Sequence, residues 1–365
     1  MDYDKIVKEQ FDNVLTDEQI AAINGLSRDI SDVSGGLSDQ FSLENIIDAT
    51  LNGESIFQNT DIINNLKELL SFEVRTAMAT GVEILTICIF LGILNNLSVS
   101  LGKKSVTSIS QLVCTMIIIG ISIKSFDIAY ELCLSSVTTL VNTMEIITPI
   151  LIGILISTGR IATGTIFSPV IIGSVTGTGI LLKKIILPAM FGASLLTMIN
   201  CLTEKNYVNK LSKFIRNTAV AVTGLILAVM SGIISVQGLI TETSDGLLIN
   251  AAKYSMSTFI PIVGGFTSDT AELFIKCMSS IKSIVGVFGI MTLIMIIIVP
   301  IIKIIFAALV YKIVSAATEP IIENKISDGL NDMGNCLISM ASIMFFSSLL
   351  FIVFLSIIVN TGNGG

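Results

Sequence analysis

Histidine and tryptophan are missing altogether from the 365 residues. Without histidine the commonest general base and metal ligand is gone, and no H-E-x-x-H zinc site can be written. Charge is scarce: 13% of residues are charged, where a soluble domain carries about 25%. The six cysteines, Cys88, Cys114, Cys133, Cys201, Cys277 and Cys336, form no C-x-x-C pair. Most lie in apolar runs and read as small buried hydrophobes rather than a disulfide framework. There is no G-x-S-x-G nucleophile elbow and no Walker A loop. No aspartate lies deep within an apolar run where an intramembrane acid pair would need it. No enzyme activity, cofactor or metal is therefore expected. The opening M-D-Y-D-K lacks an apolar h-region, so no signal peptide is read there.

What is abundant is apolar residues, at 52% with a mean hydropathy of +0.86. This composition predicts an all-α, polytopic helical membrane protein with broken or re-entrant helices and a helical, polar N-terminal segment. The charge divides unevenly. Residues 1–81 hold 15 acidic against 5 basic side chains, whereas residues 82–365 hold 13 against 16. The chain is thus read as an acidic extracytoplasmic segment, 1–81, followed by a multi-span membrane domain, 82–360. An acidic front argues against nucleic acid and against docking on anionic lipid.

Within the front segment, Thr16 to Gln19 fits a capping box ahead of a helical stripe of Ile20, Ile23 and Leu26. Apolar stripes of this kind pack on each other or on the membrane domain. Since a spanning helix needs about 20 apolar residues, charge-free runs mark crossings at 82–101, 105–123, 161–182, 185–202, 217–241, 283–302 and 336–359. Short runs at 146–158 and 304–318 leave seven or eight crossings plus broken pieces. The interval carrying Lys124, Asp127, Glu131 and Glu145 reads as an amphipathic helix. Ile128, Leu132 and Leu140 would turn to the interface or the core.

A repeat lies at the centre of the chain. Thr148–Gly159 and Ser168–Gly179 match at Pro149/Pro169, at Gly153/Gly173 and at the closing Thr-Gly; a weaker copy begins at Pro188. Proline removes a helical donor and clashes one turn back, so each copy predicts a kink or break. Paired interruptions point to a conduit, although proline and glycine are also common in ordinary membrane helices. Arg160, between the copies, either attracts an anion or is a plain loop charge. Gly173 and Gly177 form a smooth face for close helix approach.

Orientation follows the basic loop 203–216, placed inside. Lys103, Lys104 and Arg160 then fall inside, whereas the N-terminus and the connection 242–282 fall outside. Lys183 and Lys184 are the misfit. An outside N-terminus agrees with a removed signal peptide. The approach to this connection and the connection itself carry Gln237 and Gly238 in S-V-Q-G, Asp245 and Gly246 in S-D-G, Lys253 and Tyr254 in A-K-Y, and Pro261 and Gly264 in F-I-P-I-V-G-G, with Asp269 after them. The Pro261/Gly264 cluster predicts a chain reversal, as a re-entrant hairpin or a docking loop.

The order S-V-Q-G, D-G, A-K-Y, F-I-P-I-V-G resembles the stage III sporulation protein AE family, and so does Leu202-Thr203-Glu204-Lys205. The resemblance covers about residues 65–360. It implies a polytopic component, in the mother-cell-derived membrane, of the channel complex joining mother cell and forespore during endospore formation. It also implies partners: a secretion-type ATPase and ring-forming proteins. Family members usually begin with a signal peptide. An export-gate-like core is the leading expectation. An autonomous small-solute permease and a passive scaffold for the ring proteins are the alternatives. Membrane lipid is a further partner, and homo-oligomers are left open.

Overall fold

The computed structural model describes residues 16, 19–23, 25–26, 60–101, 104–202, 208–259, 264–322 and 324–361. Every regular element among them is helical. The elements are α1 (Thr60–Leu101), α2 (Lys104–Ser157), α3 (Ile161–Leu181), a π-turn (Leu182–Ile186), α4 (Leu187–Asn200), α5 (Asn209–Phe259), α6 (Gly264–Thr318) and α7 (Asn324–Asn360). The all-α reading holds. At the front, the capping box forms as its residues dictate. Thr16 N–H donates to Gln19 Oε1 at 3.0 Å, and Gln19 N–H donates to Thr16 Oγ1 at 3.3 Å. Ile23 and Leu26 of that turn are buried in the same apolar core as the long helices.

Among the described residues, six stretches are long and apolar enough to cross a bilayer: 71–94, 109–157, 164–200, 209–236, 276–318 and 325–360. Against the seven or eight crossings expected, the described residues give six candidate stretches, because neighbouring runs fuse. The runs 105–123 and 146–158 join through the charged interval into α2. The runs 161–182 and 185–202 join into one rod, α3–π–α4. Those at 283–302 and 304–318 join into α6. The helix α2 has 54 residues, about 80 Å, against a hydrocarbon core of about 30 Å.

The breaks expected at Pro149 and Pro169 do not form. Pro149 lies inside α2 and Pro169 inside α3, and both are exposed. A missing N–H removes one rung, and the apolar flanks carry the helix through it. The helical ladder changes instead at the weak third copy. Pro188 offers no donor to the carbonyl one turn back, and its ring would crowd Lys184. The five residues Leu182–Ile186 widen into a π-turn just ahead of it. The other break is the α2–α3 turn, where Gly159 takes φ +85°, a conformation suited to glycine. There Arg160 N–H donates to Leu155 O at 3.2 Å.

The helices α6 and α7 pack along much of their length and form the centre, with α1 and α2 against α6, and α4 and α5 against α7. Phe288, Tyr311, Phe351 and Phe354 fill it. Glycines set some of the closest approaches: Gly286 lies against Val359 and Gly81 against Val310. All six cysteines are free; five are buried and Cys201 is half-buried.

The continuous rods fix which loops share an end. Lys282 Nζ donates to Thr361 O at 2.9 Å, and Arg160 stands near Lys282. The rod 161–200 then carries the chain to Cys201 at the opposite end. Arg160 and the basic loop 203–216 are therefore at opposite ends, correcting the expectation that they share one. The crossing expected to end near Lys183 and Lys184 does not end there, and both lysines sit midway along the rod.

Candidate functional site

The residues singled out from the repeat lie on outer faces of the described helices. Pro149 and Gly153 lie on the outer face of α2; Pro169, Gly173 and Gly177 lie on the outer face of α3; Pro188 is exposed at the start of α4. A methyl group added at Gly153, Gly173 or Gly177 would meet no atom within 4 Å. Gly179, two residues past Gly177, is the one pressed on α2, at Val141. Among the described residues, Pro149 and Pro169 lie within continuous helices rather than at breaks. Of the connection residues, Gln237, Gly238, Asp245, Gly246, Lys253 and Tyr254 fall on α5, and Gly264 and Asp269 on α6. Their side-chain surroundings and Pro261 lie outside the described residues.

Two polar arrangements do form. The first is a buried joint where α4, α5, α6 and α7 meet. Ser212 of α5 is fully buried; its Oγ lies 2.6 Å from Thr197 Oγ1 of α4 and donates to Ala193 O at 2.8 Å. Arg216, one turn on, is 9% exposed and directs Nη1 at Cys336 Sγ of α7 at 3.9 Å. Lys213 pairs with Asp332 at 3.2 Å. Lys312 of α6 donates to Asn335 Oδ1 at 2.7 Å, and Ser315 donates to Ser327 O at 2.8 Å. In a low-dielectric bundle such bonds fix register, because breaking one leaves a buried group unpaired. Cys201 closes the joint against Gly329, and burial pushes its thiol up to about 11, the nearby Lys325 charge working the other way.

The second arrangement is on the outside. The middle of α2 buries Phe126, Cys133, Val137, Leu140 and Met144. Its opposite face exposes Lys124, Asp127, Glu131, Ser135, Asn142 and Glu145. The amphipathic interval is real, but Ile128, expected on the apolar side, is 63% exposed. Glu145 accepts a hydrogen bond from Thr176 Oγ1 of α3 at 3.3 Å. Periodicity located this helix; the depth of its charges was hidden because the crossing was read as ended at Ile123.

The sequence profile described as stage III sporulation protein AE matches residues 41–362. The curated stage III sporulation protein AE of Bacillus subtilis (strain 168) is 26% identical over 319 residues, covering 86% of this chain and 78% of that relative. No solved structure matches. Helical throughout its described membrane crossings and matched by that profile over most of its length, the chain belongs to the stage III sporulation protein AE family.

Proposed function

We propose that this protein is a polytopic, path-forming core component of the complex linking mother cell and forespore during endospore formation, seated in the mother-cell-derived membrane with its N-terminal segment outside the cytoplasm. It takes no catalytic part. Its partners are other stage III proteins, a secretion-type ATPase and ring-forming proteins among them. The family match over residues 41–362 carries this reading. The polar outer face of α2 supports a role beside other chains, since charges on a membrane helix are retained where water or protein receives them.

The exposed positions of Pro149, Pro169 and Gly173 favour a second reading, a scaffold that anchors ring proteins without forming a path. Deleting the gene in an endospore former and complementing it with Glu131→Lys separates the two. A path component loses late forespore reporter expression while ring proteins still assemble. A scaffold keeps both. If the deletion itself leaves sporulation normal, the reading fails.

A further inference from the structure

The polar face of α2 lies at the level of the most apolar part of the bundle. At one end of the interval, the Tyr311 hydroxyl of α6 faces Ser122 and Ser125. At the other, Ile147 closes on Gly289. Residues 122–147 of α2 thus run alongside 289–311 of α6. That α6 segment has one ionisable residue besides Tyr311, Lys303, which is paired with Glu73 of α1 at 2.8 Å. The helix α7 is tied to the same level through Asn335 and Leu355, and 336–359 carries no charge at all. Elsewhere the outward side chains include apolar Leu225, Val229 and Ile233 on α5 and Phe345 and Leu349 on α7, with Glu83 of α1 and Lys184 of the rod 161–200 as isolated exposed charges rather than a stripe.

Lys124, Asp127, Glu131, Ser135, Asn142 and Glu145 stand three, four or seven residues apart, on one helical stripe. The helix cannot turn them inward, because Phe126, Cys133 and Leu140 are fully buried on the other side. Carboxylates and an ammonium at this depth are costly against hydrocarbon and belong where water can reach them. Among the described residues of the single chain, Glu145 meets Thr176 of α3, and the other five side chains stand exposed.

We infer that the α2 stripe lines a water-filled path that closes only when several copies of this chain stand side by side, and that the path favours cations. The same chain supplies both halves of the contact. Acid lies on α2. The next rod offers exposed Lys184 and the open ledge of Gly173 and Gly177, where a neighbouring helix can approach to backbone distance. A head-to-tail contact of that kind closes into a ring about an axis normal to the membrane. Three carboxylates against Lys124 and the neighbouring copy's Lys184 leave each repeat of the lining at −1, which selects positive ions. This inference rests on the path reading above.

The test uses the full chain in liposomes with its native, largely buried cysteines as background. Single cysteines replace Glu131, Ser135 and Asn142, with Leu225→Cys and Phe345→Cys as controls. A charged, membrane-impermeant methanethiosulfonate should modify the stripe positions at least tenfold faster than the controls. Native mass spectrometry should give a closed oligomer. Planar bilayers should conduct potassium over chloride, with the preference lost in Glu131→Lys. Stripe cysteines no faster than the controls, or a monomer that labels equally well, overturn the inference. If Glu131→Lys labels, assembles and sporulates like the parent, the wetted face stands and the path reading above falls.

Discussion

At the residue scale, which glycine matters is decided by what faces it. Sequence marks Gly173 as a packing position, yet its outer side is open, whereas Gly286 is pressed on Val359. Gly286→Val is expected to destabilise by about 1–3 kcal/mol, the usual cost of overpacking. Gly173→Leu should leave the folded chain unchanged; melting both variants in detergent checks this. Thr197→Val leaves buried Ser212 Oγ with one partner fewer, an expected loss of about 1–3 kcal/mol measured the same way. Burial holds the Cys201 thiol up at about 11, so at pH 7 almost none of it is thiolate. Alkylation should rise about tenfold per pH unit until pH nears 11, and unfolding should abolish the lag. Mass spectrometry of the modified peptide follows it. Sequence identified the cysteines as buried but carried no sign that Cys201 abuts Gly329, a pairing across more than a hundred residues.

At the element scale, the third and weakest repeat copy governs the backbone. Pro188 shares its motif with Pro149 and Pro169, so motif strength alone ranks it last. Only Pro188 falls where the ladder widens. Proline at a helix's own start is tolerated as a first-turn residue, and here two rods meet at such a start. Restoring the donor with Pro188→Ala should let the π-turn relax to α, rotating α3 by about 100° relative to α4. A disulfide between cysteines at 145 and 176, expected to form in the parent, should then form poorly. Ease of oxidation on a gel reads this out. The capping box at Thr16 and the turn at Gly159 were legible because each depends on a few adjacent residues. Helix continuity was not, because it depends on neighbours across the bundle.

At the scale of the whole molecule, the described helices place residue 160, residue 282 and residue 361 at one end, with Cys201 at the other. Six described spans, an even count, lead to the expectation that residues 71 and 361 lie on one side of the membrane. Fusing an export-dependent reporter after residue 361 should give an active product, and fusing it after residue 202 an inactive one; the reverse pattern would invert the topology. Fold class was readable from composition, and the family from four short motifs in order. Helix boundaries were not readable, because charge does not end α2: the runs on either side of Lys124 to Glu145 join into one helix with the charges on its exposed face.

An uninterrupted α2 also has a mechanical meaning. A helix continuous from Lys104 to Ser157 couples the two membrane surfaces more stiffly than two short helices joined by a loop. Compliance is left to the missing rung at Pro149, to the glycine corner after Ser157 and to the widened coil before Pro188. A displacement at one end of α2 would therefore tilt its charged face largely as a unit.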